Sequence, residues 1–128
     1  SIDSIKLLNK LLNKPVDIYA GMRLFLQVNT SGESQKGGFE ELDELKLAAK
    51  LIKEAQGLEL QGLMTIGAIR TENFDESARK SFIELKRLRD EIDPSLELSM
   101  GMSQDYEIAI ENGSDYVRIG GRIFGARS

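Results

Sequence analysis

Ser103, Arg118 and the pair Gly120-Gly121 are the residues of this 128-residue chain whose types and spacing suggest chemistry. Ser103 stands where an apolar run, Leu96 to Met100, gives way to a helical pattern over Gln104 to Asn112. A hydroxyl beside the first free N–H groups of a helix can hold an anion. Gly120-Gly121 follows a second apolar run, Tyr116 to Ile119. Residues without a Cβ let the backbone come close to a ligand. Each feature also has a plainer reading, Ser103 as a helix cap and the glycines as a turn. Their recurrence at the ends of successive runs favours an anion site. Arg118 alternates with Val117 and Ile119, so its side chain takes the opposite face of the strand. A cation there is either aimed at a ligand or paired with a carboxylate, because a buried unpaired charge is costly.

The composition removes other chemistries. The chain has no Cys and no His, so it holds no disulfide, no thiolate metal site and no imidazole base. Proton transfer would fall to Lys, Tyr, Asp or Glu. With 17 Lys plus Arg against 21 Asp plus Glu, the net charge of -4 argues against nucleic acid. The loop containing Lys36 lacks the P-loop pattern, and the glycines do not form the dinucleotide fingerprint. Met100 and Met102 read as packing rather than metal ligands. The cluster Glu40, Glu41, Asp43, Glu44 reads as a solvated helix start suited to the macrodipole. No apolar run approaches the roughly 20 residues of a membrane span, and the polar opening SIDSIKLLNKLLNK is no signal peptide. The cytosol is the expected compartment, with a mitochondrial location left open.

These residues must be positioned by regular elements, and the periodicity supplies them. Ile5, Leu8, Leu11 and Leu12 mark a helix over Asp3 to Asn13 that Pro15 ends. Arg23 to Asn29 is a nearly continuous apolar run, the pattern of a strand buried on both faces. Phe39, Leu42, Leu45, Ala49 and Ile52 form the face of a second helix, with Gly57 at its C′ position. Leu58 to Ile66 is a strand. Phe74, Ala78, Phe82, Leu85, Leu88 and Ile92 mark a helix stopped by Asp93-Pro94. Leu96 to Met100 is a third strand, and Ser103 caps a short helix that Gly113 ends. Tyr116 to Ile119 is a fourth strand, and Arg122-Ile123-Phe124 begins a short extra helix. Strand and helix alternate at about 35 residues per cycle, the βαβ signature of a parallel α/β sheet with right-handed crossovers. A small open sandwich and a section of a (β/α) barrel both fit. A complete eight-stranded barrel needs at least about 200 residues. In either architecture ligands bind beyond the C-terminal strand ends. In barrels, the last two βα loops and a short extra helix commonly form a phosphate site.

The segments LFLQVNTSGESQKGGF, GLMTIGA and LSMGMSQDYEIAIENGSDYVRIGGRIFGAR, with the opening SIDS, together resemble the pyridoxal phosphate homeostasis proteins. These are barrels like the N-terminal domain of alanine racemase, and the resemblance runs through the whole chain in order. It implies the last four parallel strands of a (β/α)8 TIM barrel, so that residues 1–128 are the C-terminal half of one coenzyme-binding domain. It implies pyridoxal 5′-phosphate as the cofactor, with Ser103 bonding the phosphate and the Gly120 and Gly121 N–H groups completing the cradle. Arg118 would face the pyridine nitrogen, and Met100 and Met102 would pack near the coenzyme. Many relatives carry Ser or Thr where Gly121 stands, so here only the backbone serves. The family's Schiff-base lysine lies on the first barrel strand, and no lysine of this chain occupies that motif. The implied role is a non-catalytic carrier or buffer in vitamin B6 homeostasis. Its expected partners are pyridoxal phosphate and the apoenzymes that depend on it, with neither nucleic acid nor membrane. The alternative is a fragment of a racemase-like enzyme. As half a fold, the chain is expected to expose unpaired edges on its first and last strands.

Overall fold

A computed structural model describes residues 1–30, 38–66, 74–102, 104–119 and 122–125. The elements run α1 (Ile5–Leu12), α2 (Val16–Tyr19), β1 (Arg23–Gln27), α3 (Leu42–Glu54), β2 (Glu59–Met64), α4 (Phe74–Ile92), β3 (Glu97–Ser99), α5 (Tyr106–Glu111), β4 (Tyr116–Ile119) and β5 (Arg122–Gly125). The Ser4 hydroxyl caps α1 by accepting the Leu7 N–H at 3.2 Å. The helix α4 has the span its apolar period predicts. Beyond it, the Asp93 carboxylate accepts the Ser95 hydroxyl at 2.7 Å and the Ser95 N–H at 2.9 Å. Those two bonds, the hydroxyl's first, hold the Asp93 carboxyl below its usual range.

The sheet has five strands in the order β1-β2-β3-β4-β5. The first three pairings are parallel and the last is antiparallel. Sequential parallel strands joined by right-handed crossovers carry every helix on one face. That face holds the core. Leu24, Leu26, Val28, Leu63, Leu98, Met100 and Val117 point into it and meet Leu45, Ala48, Ile52, Ala78, Phe82 and Leu85. This decides between the two candidate architectures, because a doubly wound sandwich reverses its strand order and places helices on both faces. The arrangement is that of a partial (β/α) barrel.

Five expectations are corrected. The first strand is not buried on both faces: Leu24 and Leu26 are buried, whereas Phe25 and Gln27 are half-buried on the helix-free side. Phe39 does not belong to α3. It is extended and buried, its N–H bonding the Gln27 carbonyl at 2.8 Å and its carbonyl accepting the Asn29 N–H at 2.8 Å. The residue preceding α5 is Asp105, not Ser103, and Arg122 to Gly125 form a strand where a short helix was expected. The expected bare edges are also partly occupied. Ile2 bridges to Leu26 in parallel beside β1, and β5 lies along the outer edge of β4.

The β3–β4 pairing has a single Cα ladder pair, Ser99 with Tyr116. Side chains supply what the ladder lacks. The Asp115 carboxylate accepts the Leu98 N–H at 2.8 Å, and the Asp115 N–H bonds the Leu98 carbonyl at 2.8 Å. The Ser114 hydroxyl lies 2.8 Å from the Met100 carbonyl and 2.7 Å from that of Tyr116. Higher along the strand, the Arg118 N–H bonds the Gly101 carbonyl at 2.9 Å. These bonds fix the height of Arg118 against the turn that leads to Ser103.

Candidate functional site

Parallel strands deliver their C-terminal ends to one side of the sheet, and that side carries the polar residues. Arg118 lies near the end of β4 on the helix-free face, as its alternation with Val117 predicts; Val117 is buried toward α5. The Arg118 side chain is half-buried, and one guanidinium nitrogen, Nη2, donates to Met64 Sδ at 3.4 Å. No carboxylate among the described residues forms an ion pair with it. Of the two readings of Arg118, the structural ion pair is therefore not what is found among these residues. A thioether is a weak acceptor, so several of the five guanidinium donors stay open to a ligand.

Ser103, Gly120 and Gly121 lie outside the described residues. Their neighbours are defined. Gly101 has φ +105°, which turns the chain out of β3. Met102 follows with its N–H donated to the buried Asp105 carboxylate at 2.6 Å. Met100 is buried in the core, whereas Met102 is 46% exposed. Met100 thus packs as expected, whereas Met102 does not: its side chain is exposed beyond the C-terminal end of β3.

Three hydroxyls near the same end escaped the sequence reading as a group. Thr30 Oγ1 lies 2.8 Å from Thr65 Oγ1 and also bonds Ser81 Oγ. Thr65 and Ser81 are buried. Thr30 and Thr65 follow β1 and β2, while Ser81 comes from α4. The cluster ties the chain after β1 to the helix behind the sheet. The available signal was Ser81 itself, a polar residue beside Ala78 and Phe82 on an otherwise apolar stripe.

The helix-free face continues downward through Gln27, Met64, Ser99 and Tyr116 to Phe25, Gly62 and Glu97. The Phe25 and Tyr116 rings meet edge to face with centroids 5.8 Å apart. Gln61 Nε2 donates to the Tyr116 hydroxyl at 3.3 Å. A cavity of about 440 Å³ lies at the opposite end of the strands, lined in part by Lys50, Lys53, Leu58, Ile92 and Leu96. Neither Arg118 nor Met102 is among the residues that line it. Among the described residues no helix is long and apolar enough to cross a membrane, and no cluster of acidic residues could hold a metal.

Comparison with known proteins agrees with this architecture. The family model described as alanine racemase, N-terminal domain, matches residues 1–128. The pyridoxal phosphate homeostasis protein of Schizosaccharomyces pombe is 44% identical over 110 residues, covering 83% of this chain and 46% of its own length. A crystal structure of an unknown protein from Bifidobacterium adolescentis matches with a TM-score of 0.79 at 38% identity, over 93% of this chain and 49% of that one. PipY of Synechococcus elongatus, solved without and with pyridoxal phosphate, gives TM-scores of 0.78 and 0.75 at 26% and 24% identity. It is covered to 57% and 56% of its length, and this chain to 93%. The chain thus spans about half the length of the curated relatives it matches. By the match over all its residues and the sequential parallel sheet, it belongs to the alanine racemase N-terminal domain family.

Proposed function

We propose that this chain is the C-terminal half of a pyridoxal phosphate-binding (β/α) barrel. The barrel works as a non-catalytic carrier that buffers the coenzyme and hands it to dependent apoenzymes. The observation that carries the reading is Arg118, a half-buried guanidinium at the C-terminal end of β4, with no ion pair among the described residues. It is supported by relatives that are named pyridoxal phosphate homeostasis proteins. In this reading Ser103 and the N–H groups of Gly120 and Gly121 hold the phosphate, Arg118 donates to the pyridine nitrogen and Met102 lies against the ring. When bound, pyridoxal phosphate supplies an aldehyde and an electron-withdrawing ring. A permanently charged guanidinium at the ring nitrogen keeps that nitrogen unprotonated and weakens the ring as an electron sink. That argues for carriage over racemisation. The nearby Tyr116 hydroxyl accepts from Gln61, and its ring packs on Phe25.

The test uses the polypeptide in which an upstream half, like that of the curated relatives, is joined to this chain. Ser103→Ala combined with Arg118→Ala is expected to lower coenzyme retention about tenfold or more, since each charge-assisted bond contributes about 1.5–3 kcal/mol. Retention is read by dialysis against buffer and the remaining coenzyme absorbance. Retention equal to the parent, in a variant with the parent's far-UV spectrum, overturns the assignment. Racemisation of alanine by the parent overturns the non-catalytic role.

A further inference from the structure

Glu97 is the residue that neither the fold nor the proposed coenzyme site accounts for. It opens β3 on the helix-free face, since its neighbour Leu98 is fully buried in the core and successive residues alternate. Its Oε2 atom is buried and has no hydrogen-bond partner among the described residues. A carboxylate oxygen withdrawn from water without a partner is costly. The Cα partner of Glu97 on β2 is Gly62, which offers no side chain. The cation on its own face, Arg118, is higher in the sheet: Ser99 is level with Tyr116, and the Arg118 N–H reaches Gly101. Arg23, at the lower rim, is already bonded to Glu59 at 3.4 Å.

We propose that Glu97 is a docking contact between barrel halves, accepting a Lys or Arg side chain carried by the strands that cover the helix-free face. Those strands belong to the upstream half that curated relatives possess and this chain does not span. The edge they would join is marked, because Ile2 pairs in parallel beside β1 and sets the strand direction there. A second copy of this chain fits less well. Closed as a parallel barrel, it would bring its own lowest layer to the same height, where Phe25, Gly62 and Glu97 supply no free cation. The contact rests on the half-barrel reading but not on the coenzyme, so it is measured on coenzyme-free protein.

In the joined polypeptide, Glu97→Leu is expected to lower the folding equilibrium constant about tenfold or more, read from the urea midpoint, because it orphans a buried cation. The isosteric Glu97→Gln should lower it by less. In the 128-residue chain, Glu97→Leu should cause no loss. An unchanged or raised midpoint in the joined protein overturns the proposal, as does an equal loss in both forms. A dimer of the short chain that Glu97→Leu abolishes would assign the face to a second copy and also overturn it. If Glu97→Leu does not fold, the charge swap decides. Glu97→Lys should be rescued by one Lys→Glu or Arg→Glu change on the upstream strands, and rescue by none contradicts the contact.

Discussion

Gly62→Ala is expected to cost at least about 3 kcal/mol of stability, the upper end of the usual overpacking range. The reason lies in the spacing of β2 and β3. A Cβ at residue 62 would fall inside the contact distance of the Glu97 carbonyl oxygen, 2.7 Å from that carbonyl's carbon and 2.8 Å from Phe25 Cε1. Two of those atoms are backbone of the neighbouring strand, so no rotamer change relieves the clash. The register slips between Leu24 and Phe25, so that Leu60 and Gly62 oppose successive residues of β1 and Gln61 is the extra one. At that bulge Gln61 bonds the Tyr116 hydroxyl, and Gly62 lies close against the Glu97 backbone. A loss of that size is a large fraction of the stability of a domain of this size. Urea denaturation followed by far-UV dichroism checks it. A variant with the parent's midpoint would mean that the two strands stand further apart than described.

Gly101→Ala is the second large effect, and it links the fold to the site. Gly101 has φ +105°, a conformation that residues with a side chain rarely adopt, and its Cβ would sit 2.6 Å from Ala109 Cβ. Backbone strain of about 1–3 kcal/mol adds to overpacking of similar size. The expected loss is therefore about 2–6 kcal/mol. Relief requires moving either α5 or the turn that begins with Met102, and the Gly101 carbonyl also receives the Arg118 N–H at 2.9 Å. In the joined polypeptide this variant should lose coenzyme retention beyond what its lower stability explains, when both are measured well below the unfolding temperature. Retention that follows the folded fraction alone would separate this turn from the site.

The parts of this architecture most legible in the sequence are those where one physical signal dominates. The helix α4 shows a strict apolar period and a proline stop, and its bounds follow. The outward turn of Arg118 follows from alternation in a short strand. Other features failed where two signals competed. Phe39 has the right spacing for the α3 face, but its backbone bonds to β1 hold it extended. Ser103 and Asp105 both suit the start of α5. Asp105 directly precedes the helix, with its buried carboxylate taken by the Met102 N–H rather than by the helix itself. The fifth strand was announced by Gly120-Gly121, since a Gly-Gly pair between two runs is a hairpin signal as well as a ligand-approach signal. The pairing of Ile119 with Arg122 follows the hairpin alternative. Glu97 gave no warning at all. A single acidic residue in a short strand looks like ordinary alternation, and only the three-dimensional burial of its oxygen sets it apart.

In a complete parallel barrel, each strand has a parallel neighbour on both edges. Here β4 has β3 on one side and the antiparallel β5 on the other. If an upstream half closes the barrel as proposed, β5 must leave that edge. Edge strands left open invite pairing with other chains, and the β4–β5 hairpin limits that exposure in the half-length chain.

In the proposed reading this chain supplies the phosphate and pyridine contacts but not the lysine that attaches the coenzyme. The most direct measurement adds pyridoxal phosphate to the 128-residue chain and to the joined polypeptide, reduces both with borohydride, and determines the covalently bound coenzyme by mass. A coenzyme adduct is expected at a single lysine of the upstream half in the joined protein, and no stoichiometric adduct on the short chain. An equally stable, stoichiometric adduct on a lysine of the short chain would contradict it.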